Sequence, residues 1–413
     1  MLKKIAVKQA TPGMFVQQFC GTWVDHPFWS RQLLITDAAM LEKLRASAVR
    51  NIIIDLSRGV DVSPEPVGSA ADPADADTRP VDKPAASRLQ SPAFDSPPRQ
   101  VSLHDEMQRA RQLISRGKQD VIRMFADVRM GRVVESDSLQ LLVSDMSDSL
   151  LRNAHALLSL VRIKRRDEYT YLHSVAVAAL MMSLARSQGC DEANTKMAGM
   201  GGLLHDLGKV AMPDHILNKP GKLSAAEFEV MKGHPVEGAA LLQALANMPA
   251  EAIDACLHHH EKYDGSGYPG QLAGENISVM ARMAAICDVY DAITSNRPYH
   301  AGDDPALSLS RMASWEGHFD PHLFQQFVCM LGIYPVGSLV RLRSDRLAVV
   351  IEQNPDSLLK PRLVAFYSVA RAQRIPPAIL DLASRSCDDA ITGRENPESW
   401  HFTDLDQLWM SAG

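Results

Sequence analysis

The chain has 413 residues, 46% hydrophobic and 22% charged, with a formal net charge of −6. That length suits roughly two to four domains, and the composition is that of a soluble globular protein. A modest negative charge argues against a duplex nucleic-acid binder, whose contact face is basic, so an anionic ligand here needs local cations from metals or a few placed Lys and Arg side chains. Cys20, Cys190, Cys256, Cys287, Cys329 and Cys387 are scattered without a CxxC pair. Neither a zinc finger nor a disulfide framework is suggested, and reduced thiols in the cytoplasm are the simple reading. No long apolar run follows the basic start, and the most apolar stretch, 175–182, is far shorter than the ~20 residues a membrane helix needs.

Residues 1–62 read as a small mixed α/β unit. Pro12 and Gly13 mark a turn, 36–46 has helical spacing with Thr36 or Asp37 as N-cap, and 51–55 is a short buried strand. Trp23, Phe28 and Trp29 read as core packing before a binding patch. Residues 63–100 are rich in Pro, Ala, Asp and Ser, a composition that cannot bury enough apolar surface to order itself; a disordered linker is expected. Helical periodicity begins near Val101. Met107, Ala110, Ile114, Val121, Met124 and Val128 form one stripe, interrupted at Gly117, and Leu139, Leu142, Met146, Leu150, Leu157 and Leu160 form a second. Such stripes are packing faces first, with a homodimer seam as the alternative. Helices are predicted over 167–187, 225–232, 250–261 and 278–294, with a loop over 214–223. Near Tyr334 the pattern changes: 339–342 and 347–351 flank Ser344-Asp345 as a hairpin, 363–367 is another strand, and the last forty-odd residues carry no assignment.

The stretch 201–209, GGLLHDLGK, sits at the centre of this helical region. A helix is expected to carry His205 and Asp206, whose side chains would then reach two different points of a cavity. That suits a carboxylate bridging two metal ions. Lys209, four residues after His205, would put a positive charge on the same face. His173, His205, Asp206, His234, His259, His260 and Asp288 all fall on successive predicted helices or helix ends. Any one alone reads as a packing residue, but burying the whole set unpaired would be costly. Imidazoles and carboxylates together suit two divalent transition metals: Fe, Mn, Ni or Zn.

This order of residues, with HHE before DGSGYP and the later DVYDAITSNRPY, resembles the HD-GYP subfamily of HD-superfamily metal-dependent phosphohydrolases over 166–332. Residues 1–62 more loosely resemble a small N-terminal domain of unknown role that often accompanies it. The resemblance implies a mainly α fold. An HD-type helical catalytic region would occupy 101–332 (core about 150–332), with a small α/β domain before the linker and a β-hairpin-containing segment at 333–413. It implies hydrolysis of cyclic di-GMP to pGpG, and in some members on to GMP, through two metal ions, Fe or Mn foremost. His173, His205, Asp206 and Asp288 would hold one ion. Asp206, His234, His259 and His260 would hold the other, with Asp206 bridging. His258 has no place in that scheme, while Glu261 and Asp291 look like groups that orient ligand imidazoles. Lys209 would stabilise charge on the phosphoryl group and Arg297 would grip a phosphate. Tyr268 either stacks on guanine or pins its loop, and that loop is implicated in contacts with partner proteins. Two departures stand out. Tyr169 occupies the position of a third metal's Glu, favouring two ions, and His300 stands where a Lys is common. His300 would still face a phosphate, but as a weaker cation near neutral pH. Rival readings are a phosphodiesterase for cyclic GMP-AMP and a catalytically weak cyclic-dinucleotide receptor or interaction module.

Overall fold

The structure is a computed structural model and describes residues 2–20, 33–36, 38–45, 51–55, 58–60, 101–132, 136–162, 169–245, 248–295, 303–354, 357–402 and 404–410. It divides into two units, Met1–Pro98 and Arg99–Gly413. In the first unit, β1 (Leu2–Ala6), β2 (Phe15–Cys20), β3 (Leu33–Leu34), helix α1 (Ala38–Arg45) and β4 (Asn51–Asp55) follow in order. The strands form one antiparallel sheet, ordered β1-β4-β2-β3. Ile52 and Ile54 point to one face of β4 and are fully buried with Met14, Val16, Ile35 and Leu44. The strand and helix expected near 51–55 and 36–46 are therefore present. Trp23, Phe28, Trp29 and the 63–100 linker lie outside the described residues.

The second unit begins with two long helices, α2 (Leu103–Arg129) and α3 (Ser136–Arg162). Ser102 caps α2 by accepting from the Asp105 N–H. Backbone geometry breaks inside α3 at Asn153, whose Oδ1 accepts from the Ala156 N–H and so starts the helix afresh. The two apolar stripes share one core, with Met107, Ala110, Val121 and Met124 from α2 and Leu139, Leu142, Met146 and Leu157 from α3 all buried. Gly117 interrupts its stripe for a steric reason: a Cβ there would stand 2.9 Å from Leu142 Cδ1.

Next come α4 (Tyr169–Ser187) and α5 (Glu192–Leu204), then the short α6 (Asp214–Leu217) and α7 (Ala225–Met231). After these come α8 (His234–Gln243), α9 (Ala250–His258), α10 (Val279–Thr294), α11 (Pro305–Ala313) and α12 (Pro321–Leu331). The stretch read as a loop over 214–223 thus opens with a helical turn. Glycines let the central elements touch backbone to backbone. A Cβ on Gly202 of α5 would lie 2.7 Å from Ala178 Cα of α4, and one on Gly208 would lie 1.8 Å from the His234 carbonyl.

The chain ends in β5 (Leu339–Leu342), β6 (Arg346–Glu352), β7 (Arg362–Ser368), β8 (Gln373–Asp381) and β9 (Ile391–Arg394), then α13 (Pro397–Trp400) and α14 (Leu405–Met410). The expected hairpin and third strand are the middle of a five-stranded antiparallel sheet, ordered β8-β7-β6-β5-β9. Both faces of β6 are covered. Leu347, Val349 and Ile351 join the helical core, whereas Ala348 and Val350 join a separate cluster with Val340, Leu342 and Leu363. That explains the unbroken apolar run at 347–351. Strand β8 escaped notice because most of it is exposed. It carries Pro376 and Pro377, which a strand tolerates at a sheet edge, where β8 lies. Among the described residues no helix is long and apolar enough to cross a membrane.

The α4–α5 contact makes a direct prediction. Gly202→Ala gains about 1 kcal/mol of helix propensity but forces apart two backbones that have no flexible atoms to yield. It should destabilise by at least about 1 kcal/mol net in urea unfolding. Gly131→Ala, at an open position, reports instead the strain of its positive φ of 63° alone.

Candidate metal centre

His173 projects from the first part of α4, His205 ends α5, His234 starts α8, His259 and His260 follow α9, and Asp288 lies in α10. All seven candidate ligands come together. All are buried except His260, whose side chain is 24% exposed. The His-Asp pair does not sit within a helix as expected. His205 is the last residue with helical backbone, Asp206 (φ −100°, ψ 9°) breaks the helix, and a 3-10 turn over Leu207–Ala211 follows.

The two oxygens of that carboxylate meet different imidazoles. Oδ2 lies 3.3 Å from His205 Nε2 and 3.6 Å from His173 Nε2. Oδ1 lies 3.4 Å from His234 Nε2 and 3.9 Å from His259 Nε2. Asp288 Oδ1 stands 3.0 Å from His173 Nε2 and 3.8 Å from His205 Nε2, and its Oδ2 stands 4.0 Å from His260 Nδ1. The donor atoms of His173, His205 and Asp206 lie within 4.8 Å of one another, as do those of His234, His259 and His260.

Three imidazoles are aimed by backbone. Nδ1 of His205, His234 and His259 each lies 2.8 Å from the carbonyl three residues earlier, of Gly202, Met231 and Cys256. A carbonyl only accepts, so each Nδ1 carries the proton and each Nε2 presents a lone pair to the cavity. His173 is aimed by a carboxylate: its Nδ1 is 2.6 Å from Asp291 Oδ2. These pins leave lone pairs facing one another. His234 Nε2 is 3.2 Å from His259 Nε2, and the buried His205 Nε2 has no hydrogen-bond partner. Converging acceptors with no proton between them repel unless a cation joins them, and this donor set fits transition-metal ions. Burial lowers His205, but the Asp206 and Asp288 carboxylates outweigh it and raise the imidazole's pKa, a pull for positive charge that a metal ion would answer in place of the proton. Burial pushes His259 well below its ordinary pKa, and takes His260 down to about 3. Burial raises Asp206, but the Lys209 ammonium and the facing imidazoles outweigh it and hold the carboxyl well below the usual range. Asp288 is held down against burial chiefly by His173. Neutral imidazoles and ionised carboxylates are the forms that bind metal.

The other expected residues have separate fates. Lys209 lies in the 3-10 turn rather than on a shared helix face, and its Nζ reaches Asp206 Oδ2 at 2.5 Å. His258 turns away and pairs with Asp254 at 2.8 Å. Glu261 does not orient an imidazole. Its carboxylate accepts from the backbone N–H groups of Gly270 (2.5 Å) and Leu272 (3.1 Å), closing the loop that contains Tyr268. Gly267 lets that loop approach, since a Cβ there would lie 2.3 Å from Lys262 N. The Tyr268 ring lies 4.8 Å from that of His260, and burial raises its hydroxyl pKa. Arg297 and His300 lie outside the described residues. One contributor carried no sequence signal: Cys256, a thiol pushed up to about 12 by burial, whose Sγ donates to the His205 carbonyl at 3.2 Å.

Comparison with known proteins agrees with this geometry. The chain is 49% identical over 410 residues to the cyclic di-GMP phosphodiesterase PA4108 of Pseudomonas aeruginosa, covering 99% of this chain and 96% of that protein. It belongs to the HD-GYP family. The HD domain model matches residues 144–323, and a domain of unknown function (DUF3391) matches residues 2–139. The chain is also 39% identical over 186 residues to the cyclic di-GMP phosphodiesterase response regulator RpfG of Xanthomonas campestris pv. campestris, covering 44% of this chain and 49% of RpfG. It is 38% identical over 165 residues to the 3'3'-cGAMP-specific phosphodiesterase 2 of Vibrio cholerae, covering 40% of this chain and 32% of that protein.

The pin on His173 is open to test. Asp291→Ala should weaken metal binding about 10- to 100-fold, measured by competition with a chromogenic chelator, with helicity checked by circular dichroism. Unchanged affinity in a folded variant would show that the Asp291–His173 contact does not aim the ligand.

Proposed function

We propose that this chain is a metal-dependent phosphodiesterase that hydrolyses cyclic di-GMP to linear pGpG. The observation that carries the reading is the Asp206 carboxylate, whose two oxygens face two separate imidazole groups. His173, His205, Asp206 and Asp288 would hold one divalent ion, and Asp206, His234, His259 and His260 the other, Fe or Mn being preferred. Such a pair supplies an activated water at neutral pH and draws charge from the phosphoryl oxygens.

The chain's own side chains do the rest. Backbone carbonyls and Asp291 hold the imidazoles in the tautomer that leaves Nε2 free. Lys209, tethered to Asp206, brings a cation to the phosphate and stabilises charge that grows on it. Glu261 holds the loop that sets Tyr268 against His260. Arg297 and His300 are assigned to recognition of the substrate's phosphates. No side-chain nucleophile is needed. A silent receptor is disfavoured because every candidate ligand is in place. The likeness to a cGAMP-specific relative makes cyclic GMP-AMP the competitor substrate. The cytoplasm, where a second messenger circulates, is the compartment assigned. The exposed Ser266, Pro269 and Gly270 are the loop surface assigned to protein partners.

Asp206→Ala removes the carboxylate that meets His173 and His205 through one oxygen and His234 and His259 through the other. Turnover of cyclic di-GMP by the manganese- or iron-loaded variant, followed by chromatography of the products, should fall to background. Wild-type-like turnover in a folded Asp206→Ala protein would sink the assignment.

A further inference from the structure

Helix α7 buries no residue of its own. It is held at its start by a Ser224–Glu227 capping box and by Lys219 on Glu227. Phe228, in its middle, is 46% exposed. A lone exposed phenylalanine needs no explanation, but this one belongs to a line of groups that leads to the metal centre. Lys232, just past the helix end, places Nζ 5.1 Å from the Phe228 ring centre and 5.7 Å from that of Tyr268. Tyr268 in turn leans on His260, 4.8 Å between ring centres. One ammonium therefore contacts two aromatic rings, and the inner ring touches a candidate metal ligand. The same Nζ donates to Glu229 Oε1 at 2.7 Å, but the Glu229 side chain is 68% exposed. A pair so open to solvent is weak, and an incoming phosphate can replace it.

Alternating aromatic faces and cations are what a nucleotide chain requires: bases stack on the rings while the cation follows the backbone. A cyclic dinucleotide with one phosphate at the metal centre must still place its second phosphate and its bases. We propose that Phe228 and Lys232 form, with Tyr268, the subsite for a purine base and the uncut phosphate of the cyclic dinucleotide. This inference rests on the phosphodiesterase reading and deepens it. Stacking does not read the hydrogen-bonding edge of a base, so the subsite serves guanine and adenine alike.

The test uses the full chain, manganese-loaded, with steady-state kinetics on cyclic di-GMP and on 3'3'-cyclic GMP-AMP for wild type, Phe228→Ala, Phe228→Tyr and Lys232→Gln. Phe228→Ala should raise KM for cyclic di-GMP about tenfold and leave kcat within about twofold of wild type. Phe228→Tyr should restore KM, and any turnover of cyclic GMP-AMP should shift in parallel. Lys232→Gln should raise KM several-fold and flatten its dependence on salt. Wild-type cleavage with KM unchanged in both Phe228→Ala and Lys232→Gln overturns the subsite alone and leaves this rim to a protein partner. A fall in kcat at constant KM marks a structural role and also overturns it. A wild-type chain that neither binds nor cleaves either dinucleotide overturns the phosphodiesterase reading and the subsite with it.

Discussion

A buried carboxylate that faces lone pairs on both sides is the constraint around which the helical unit is arranged. Asp206 is 2% exposed, and burying a charge at such depth is costly unless other charges answer it. Lys209 answers on one side. On the others stand imidazoles whose remaining nitrogens are lone pairs, because their protons are committed to carbonyls or to Asp291. The arrangement is stable as a host for cations and strained without them, which is how a metal site couples binding energy to folding.

Holding that arrangement is a task for helix ends rather than helix faces. His205 ends α5, His234 starts α8, and His259 and His260 follow α9. At the ends of α5, α7 and α9 the carbonyls of Gly202, Met231 and Cys256 are free to take the side-chain protons of His205, His234 and His259, so the termination of each helix and the aiming of the ligand are one event. The close backbone approaches at Gly202 and Gly208 bring these ends within reach of one another. The loop closed by Glu261 then covers one flank of the cavity.

Much of this was legible in the residues themselves. The spacing of His and Asp through the helical region, the HHE and DGSGYP stretches and the apolar stripes of α2 and α3 are chemistry or periodicity written in side chains. What escaped was carried by backbone. Apolar spacing suggested a helix through His205 and Asp206, because periodicity cannot register the break at Asp206. The resemblance implies that Glu261 orients an imidazole, and nothing in the residue order reveals that its acceptors meet the N–H groups of Gly270 and Leu272 instead. Strand β8, exposed and carrying Pro376 and Pro377, had no alternation to find.

The central claim is that Asp206 divides two ions between two imidazole groups. Anomalous diffraction from crystals of the manganese- or iron-loaded protein tests it most directly. The account predicts two peaks, one beside Asp206 Oδ2 among His173, His205 and Asp288, the other beside Oδ1 among His234, His259 and His260. A single peak, or a third near Tyr169, would contradict it.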